Sequence, residues 1–499
     1  MGILTLTVAL PLLGALVLAV AGLTERGSKW VALTTALATF VASLVVLVGF
    51  DRADPSLQMA EQLAWIPAIG ANFSLAVDGT SLALILLTTL LTPIVLVASW
   101  DTISDRVVGY LVAFLVLEAA VIGVFAATDL LLFYVFFEFS LVPMYLIIGI
   151  WGGAHRRYAA VKFFLYTLLG GLVMLVAILY LQAQAGSFSY DAVNALTLGQ
   201  TEQRWLFGAF LLAFAVKVPL FPVHTWLPAA HTEAPTGGSV MLAAVLLKLG
   251  TFGLLRYALP ILPDATVQFA PWLLAVSVVG ILYGAVVALM QTDIKRLIAY
   301  SSVSHMGFVV LGMFALNTTA TSASVVQMIN HGLSTGALFL LIGFLYERRH
   351  TRMIADFGGL ARSVPVLAGL WLVVSLSSLA LPGLNGFVGE FPILLGTFQV
   401  NRAASVLAAF GAVLAALYLL WAYQRMFQGP LETEENRTTR DLTIREVGVL
   451  VPLVALIVAI GVYPKPVFDL VTPSVDRVLM EVEAGALAAA DDLGAEDAR

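Results

Sequence analysis

Five ionisable residues stand in stretches that are otherwise almost wholly apolar: Glu118, Glu138, Lys217, Lys248 and Glu390. A charge at the centre of a bilayer costs roughly 3 kcal/mol even on insertion scales, so such residues face a bundle interior and mark ion or proton paths. Burial disfavours the charged form of an acid or a base, and a nearby opposite charge restores it. Moving Glu138 toward or away from Lys217 therefore switches the lysine between holding and releasing a proton. Lysines, glutamates and hydrated polar groups in series make a proton relay. His224, His231, His305 and His331 are suitable intermediates, because imidazole titrates near neutrality. Each histidine also reads as a satisfied packing residue, and the charges read equally as buried ion pairs that fix helix packing. His155 and His350 fall in loops and carry no role.

Two of the charges come with interrupted helices. Lys217 is followed by Pro219 and Pro222, and Glu390 lies in the run LPGLNGFVGEFP from Leu381 to Pro392. Proline removes backbone hydrogen bonds, and unwound backbone at membrane depth is tolerated only inside protein or along a hydrated cavity. A kink beside a lone charge is the pattern of an ion site. Glu118 has no such irregularity beside it.

The elements that must hold these residues follow from composition. The 499 residues are 60% hydrophobic and 11% charged, with a mean hydropathy of +0.97, which excludes a soluble globular chain. The absence of cysteine excludes disulfides, iron–sulfur clusters and thiolate zinc sites within the chain. No His/carboxylate spacing resembles a metal site, no cofactor is expected, and no basic stripe suggests nucleic acid. The hydropathy pattern predicts an all-α polytopic membrane protein with about fourteen transmembrane helices, the first at 2–22 and the last at 446–464. The first segment lacks a basic n-region and is read as a span. Residues 72–78 alternate enough for a hairpin strand, and 184–204 accommodate a short helix or turn. The acidic tail beyond Lys465 is expected to end in a solvated, disordered stretch that includes Asp491, Asp492, Glu496 and Asp497.

Basic residues are unevenly divided. Sixteen fall in loops after odd-numbered spans, seven fall on the other side, and Lys217 and Lys248 remain at mid-depth. The excess places both termini away from the cytoplasm. The seven include Arg52, Arg204, Arg256 and Arg499. The broken spans 7 and 12 are each the fourth member of a set of five, spans 4–8 and 9–13. A shift of five spans inverts the second set, which is the layout of inverted-topology repeats. The expected organisation is 1–107 for helices 1–3 with an extracytoplasmic hairpin, 108–259 and 260–427 for the two repeats, and 428–499 for helix 14 with the tail.

The runs TDIKRLIAYSSVSHMG from Thr292 to Gly307 and VHTWLPAAHTEAPT from Val223 to Thr236 resemble the signatures of the antiporter-like subunits of respiratory complex I. The resemblance spans nearly the whole chain. Sister subunits N and L typically carry lysine on broken helix 12, whereas Gly386–Phe391 (GFVGEF) places Glu390 there; subunit L would also need a lateral helix and extra spans after the fourteenth. The resemblance implies a multi-pass protein of a bacterial inner membrane, flanked by subunits N and L and by lipids. It would translocate protons and belong to an NADH:quinone oxidoreductase while carrying no redox site of its own. It implies Glu138 and Lys217 as an interacting pair, Lys248 as the central relay, His305 and His331 as links, and Glu390 as the last site before exit. Lys162, Lys295 and Arg296 would sit near the cytoplasmic surface, for proton entry, subunit contact or topology. Two other readings stay open: a subunit of a multisubunit monovalent cation/proton antiporter, and a structural spacer of the membrane arm.

Overall fold

An apolar segment in hydrocarbon must satisfy its backbone internally, and a helix does so within one segment. The computed structural model describes residues 2–496, with side chains through residue 486. Its helices are α1 (Ile3–Val20), α2 (Glu25–Gly49), α3 (Gly79–Ala98), α4 (Val107–Ala126), α5 (Leu130–Trp151) and α6 (Arg156–Ala185). Then follow α7 in two halves (α7a, Gln200–Lys217; α7b, Trp226–Glu233), α8 (Thr236–Ile261), α9 (Pro263–Leu289), α10 (Ile294–Met313) and α11 (Thr318–Arg349). The rest are α12 in two halves (α12a, Pro365–Ser378; α12b, Asn385–Val400), α13 (Arg402–Phe427), α14 (Ile444–Val462) and α15 (Lys465–Glu496). Among the described residues, eleven helices are long and apolar enough to cross a membrane. α7a, α10 and the two halves of α12 coincide with the other three apolar stretches of the sequence but are more polar or shorter. Strands β1 (Gln58–Ile66) and β2 (Ala71–Val77) pair antiparallel as a hairpin, and a short helix, Tyr190–Asn194, lies between α6 and α7a.

Successive connections alternate between two ends of the bundle. At one end Lys29 Nζ donates to the Trp100 carbonyl at 2.5 Å, Trp151 Nε1 to the Asp105 carbonyl at 2.8 Å, and Arg348 pairs with Glu446 at 2.6 Å. At the other end the Asn72 amide donates to Asp129 at 2.9 Å and the Gln203 amide to Asp264 at 2.8 Å. The same end holds both termini: the Leu4 amide donates to Glu61 at 2.8 Å, and the Gly79 amide to Ser474 at 2.9 Å.

Two expectations need correction. The last stretch of the acidic tail is helical, not disordered: it continues α15, which runs to Glu496 and earlier buries Val471, Val475, Val478 and Val482, an i, i+4, i+7, i+11 stripe that gives a helix one apolar face. Asp491, Asp492 and Glu496 lie within this helix, while Asp497 and Arg499 lie outside the described residues. Arg256 is not in a loop. It lies within α8, and its guanidinium is 2.6 Å from Asp78.

Buried helices surround the centre. α8 and α11 are covered on nearly every side, whereas α1, α2, α6, α13 and α14 each keep a broad apolar face exposed. That division puts the polar residues of α8, α10, α11 and α12b next to one another in the interior.

Candidate functional site

Lys248 occupies the middle of α8 between two π-helical segments, Leu242–Leu246 and Leu254–Ala258. A π-turn widens the helix and leaves carbonyls out of the ordinary ladder. Lys248 Nζ donates to one of them, Ala243 O, at 2.6 Å. The ammonium is fully buried and lies 2.7 Å from His331 Nδ1 on α11. His331 and His305 face each other with ring centroids 6.0 Å apart. His305 Nδ1 lies 2.7 Å from Glu390 Oε1, which also accepts from Gln327 Nε2 at 3.0 Å. Lys248, His331, His305 and Glu390 thus form one buried line across α8, α11, α10 and α12b.

The gap between the two imidazoles is polar. His305, Gln327, Asn330, His331, Ser334 and Ser377 line a cavity of about 10 Å³, the room of a single water. His331 Nε2, Asn330 Oδ1 and Gln327 Oε1 are buried there without a protein partner. The cavity depends on the break in α12. Pro382 cannot continue the helix, the Leu381 amide reaches back to the Leu376 carbonyl at 3.0 Å, and Asn385 restarts the chain as α12b. Asn330 Nδ2 donates to the Asn385 carbonyl at 2.7 Å, and Ser377 Oγ donates to Asn385 Oδ1 at 2.5 Å. These bonds fix α12b to α11 and so fix Glu390 relative to His305. A Cβ on Gly386 would stand 2.0 Å from the Ser377 carbonyl, so only glycine allows this approach.

Lys217 is the last residue of α7a. The turn after it lacks a donor at Pro219, and Trp226 Nε1 satisfies the Val216 carbonyl at 2.8 Å. Lys217 Nζ lies 3.4 Å from Ser140 Oγ and 4.7 Å from the centre of the Phe137 ring. Glu138 on α5 makes no ion pair with it in this conformation, and Glu138 Oε1 is buried without a partner. The Glu138 carboxyl rests on α6, where a Cβ at Gly171 would meet Oε1 at 1.6 Å. No hydrogen bond joins Lys217 to the Lys248 line, although the backbones touch: a Cβ at Gly250 would lie 2.8 Å from the Phe214 carbonyl.

The other histidines separate. His231 is fully buried, stacked on Phe339 at 4.6 Å between ring centroids and 9° between planes, with both ring nitrogens unpartnered. Beyond it, Lys295 is buried and donates to the Ala234 carbonyl at 2.5 Å. His224 stands apart among Phe221, Tyr283 and Tyr300, without a hydrogen-bond partner. Lys162 lies over the rings of Tyr158 and Tyr166. Glu118 is fully buried on α4 with neither oxygen bonded; the neighbouring Thr92 gives its hydroxyl hydrogen to the Thr88 carbonyl at 3.1 Å.

Sequence reasoning missed a second buried charge cluster. Asp78 caps α3 and takes Arg256 at 2.6 Å and Arg477 of α15 at 3.6 Å. Arg477 also faces Glu481 at 3.6 Å, and Tyr190 donates to Glu481 at 3.0 Å. Burial alone would push the Asp78 carboxyl up, and the two guanidiniums outweigh it and hold it below the ordinary range. Arg256 carried the signal: it stands eight residues beyond Lys248 within the same apolar stretch, with no proline or polar cluster between.

Residues 127–415 match the model of the NADH:quinone oxidoreductase/Mrp antiporter transmembrane family. The chain is 47% identical over 500 residues to NADH-quinone oxidoreductase subunit M of Rhodobacter capsulatus, covering 97% of each. It superposes on a chain of respiratory complex I from Thermus thermophilus with a TM-score of 0.87 and 33% identity, over 97% of this chain and 99% of that one. A chain of the Mrp complex from a Dietzia species shares the fold at a TM-score of 0.85 and 20% identity, with coverage of 97% and 99%.

Proposed function

Because this chain belongs to the NADH:quinone oxidoreductase/Mrp antiporter transmembrane family, on its subunit M branch, we propose that it translocates protons as an antiporter-like subunit of complex I. Redox chemistry takes place in other subunits, and their conformational or electrostatic signal drives the transfer. The observation that carries this reading is the buried line of titratable groups from Lys248 to His331 and from His305 to Glu390, with one small polar cavity between the two imidazoles.

In this reading Lys248 is the central donor, His331 and His305 pass the proton, and Glu390 is the outlet site. Glu138 and Lys217 form the switchable pair: their separation in this conformation is the released state, and their approach holds the proton on the lysine. His231, on α7b, is the relay on the entry side, beside Lys295. His224 serves only if the aromatic box around it opens.

The chain crosses the membrane fourteen times, with helices 4–8 and 9–13 as inverted repeats. The interruptions after Lys217 and before Glu390 support that pairing, as does the alternation of loops between the two ends. The segments 1–107, 108–259, 260–427 and 428–499 are the corresponding units. The end rich in lysine and arginine faces the cytoplasm of a bacterial inner membrane, both termini lie outside, and subunits N and L pack on either side together with lipid. No cofactor, metal or nucleic acid enters this reading.

The test is to change Lys248→Ala and Glu390→Gln singly, verify assembly of the complex, and measure NADH-driven proton pumping in membrane vesicles with and without sodium. Loss of pumping in assembled complexes supports the reading. Undiminished pumping leaves a spacer role, and a requirement for sodium transfers the reading to cation exchange.

A further inference from the structure

The relay as described leaves one contact of His305 unused. Its Nδ1 is held tightly by Glu390 at 2.7 Å, while its Nε2 faces the Tyr418 hydroxyl of α13 at 3.4 Å. Tyr418 is fully buried. Ser301, also buried, lies one helical turn before His305 on α10 and gives its own hydrogen to the Ile298 carbonyl at 2.8 Å, which leaves its oxygen able to accept. In this conformation the hydrogen-bond partner of the Tyr418 hydroxyl is His305 Nε2.

We infer that Tyr418 is a positioning residue that sets the tautomer of His305 and admits one proton at a time from His331 to Glu390. The inference rests on the relay reading above. A neutral imidazole has one donor and one acceptor nitrogen. When Tyr418 donates to Nε2, the hydrogen of His305 sits on Nδ1 and points at the Glu390 carboxylate. That is the form able to receive a proton at Nε2, but Tyr418 occupies the lone pair. When the Tyr418 hydroxyl turns to Ser301, the Nε2 lone pair is released to accept a proton carried across the cavity that His305 and His331 both line. The arriving proton bonds to Nε2 and the Nδ1 hydrogen leaves to Glu390 Oε1. One N–H bond forms, one breaks, and the net change is one proton gained by Glu390. Nε2–H now donates to the Tyr418 oxygen, so no second proton can follow until His305 is reset. The loose 3.4 Å contact on one side and the tight 2.7 Å contact on the other are the geometry such a device requires.

The titratable groups around His305 are Glu390 from α12b, His331 from α11 and Tyr418 from α13, with Lys248 of α8 and His231 one step farther. None of them duplicates the hydroxyl. The gating function therefore falls on Tyr418 and Ser301 alone.

The experiment uses the assembled complex in proteoliposomes and compares three replacements. Tyr418→Phe keeps the ring and removes the hydroxyl; passive proton conductance should rise by about tenfold, the effect of one ordinary hydrogen bond, and pumping per NADH should fall. Ser301→Ala removes the alternative acceptor; pumping should slow severalfold with no added conductance. Incorporation of 3-fluorotyrosine at 418 retains a donor and should restore the low conductance that Phe loses. Wild-type conductance and pumping in the Phe variant overturn the inference, as does a conductance rise that fluorotyrosine fails to reverse. If Glu390→Gln pumps normally, the relay reading itself fails, and that outcome is distinguishable because it does not involve Tyr418.

Discussion

Lys248 Nζ lies 2.7 Å from His331 Nδ1 and 2.6 Å from the Ala243 carbonyl, with no carboxylate among its hydrogen-bond partners. When Lys248 holds its proton it can only donate, so Nδ1 of a neutral His331 accepts and its hydrogen sits on Nε2. His331→Asn keeps an acceptor near the position of Nδ1 but offers no second ring nitrogen to pass the proton on. Normal assembly with NADH-driven pumping reduced roughly a hundredfold is expected, the scale of losing one positioned acid–base group. Proton uptake by vesicles measures it, and pumping near the wild-type rate would remove His331 from the path.

Asp78→Asn leaves Arg256 buried without its countercharge. Breaking a buried pair on one side costs about 3–5 kcal/mol, which should appear as a lower unfolding temperature and poorer assembly. Arg256→Gln combined with Asp78→Asn should recover part of that loss. The folded Asp78 carboxyl is held below the ordinary aspartate value of about 3.9. Its stabilisation is therefore complete above that value and is lost only as pH falls through the lower, folded one. Thermal stability measured from pH 7 to 5 should show no step from this group.

Gly386→Ala sets a methyl against the Ser377 carbonyl, where an ideal Cβ comes within 2.0 Å. The backbone must shift, and α12b carries Glu390 with it. Pumping should drop more than stability does, because lost alignment of His305 and Glu390 affects transfer first. Equal losses in both, measured by vesicle pumping and thermal melts, would count against that geometry.

Gly171→Ala places a methyl where Glu138 Oε1 now rests. The carboxyl is the far end of a flexible side chain, so it should swing rather than disrupt α6. Assembly should persist while pumping changes, since the Glu138–Lys217 separation changes. Unaltered pumping would mean that this separation does not control the lysine.

Much of the architecture was readable before any coordinates. The apolar stretches predicted the helices, and Pro219 and Pro382 predicted where α7 and α12 part, because proline acts locally whatever surrounds it. The π-helical turns beside Lys248 were not readable, because no residue type enforces them. Residue type alone offered His224 and His231 on the same terms as His305 and His331; the resemblance singled out the second two as links. The fold supplies the physical difference, a ring in an aromatic box against a ring 2.7 Å from a carboxylate. α15 was misread because its seven acidic residues drew the eye, while the helical spacing of Val471, Val475, Val478 and Val482, present in the sequence, was passed over.

The pairing of Gly79 with Ser474 spans 395 residues, and Asp78 beside it takes its second arginine from the same late helix. A ribosome releases Asp78 long before Arg477 exists. During synthesis the first helices are therefore held by Arg256 at best, and the final segment completes the neutralisation. Without α15, Asp78 would keep Arg256 as its countercharge but lose Arg477, and the Gly79 amide would lose Ser474, so the start of α3 is locked only when this late helix docks.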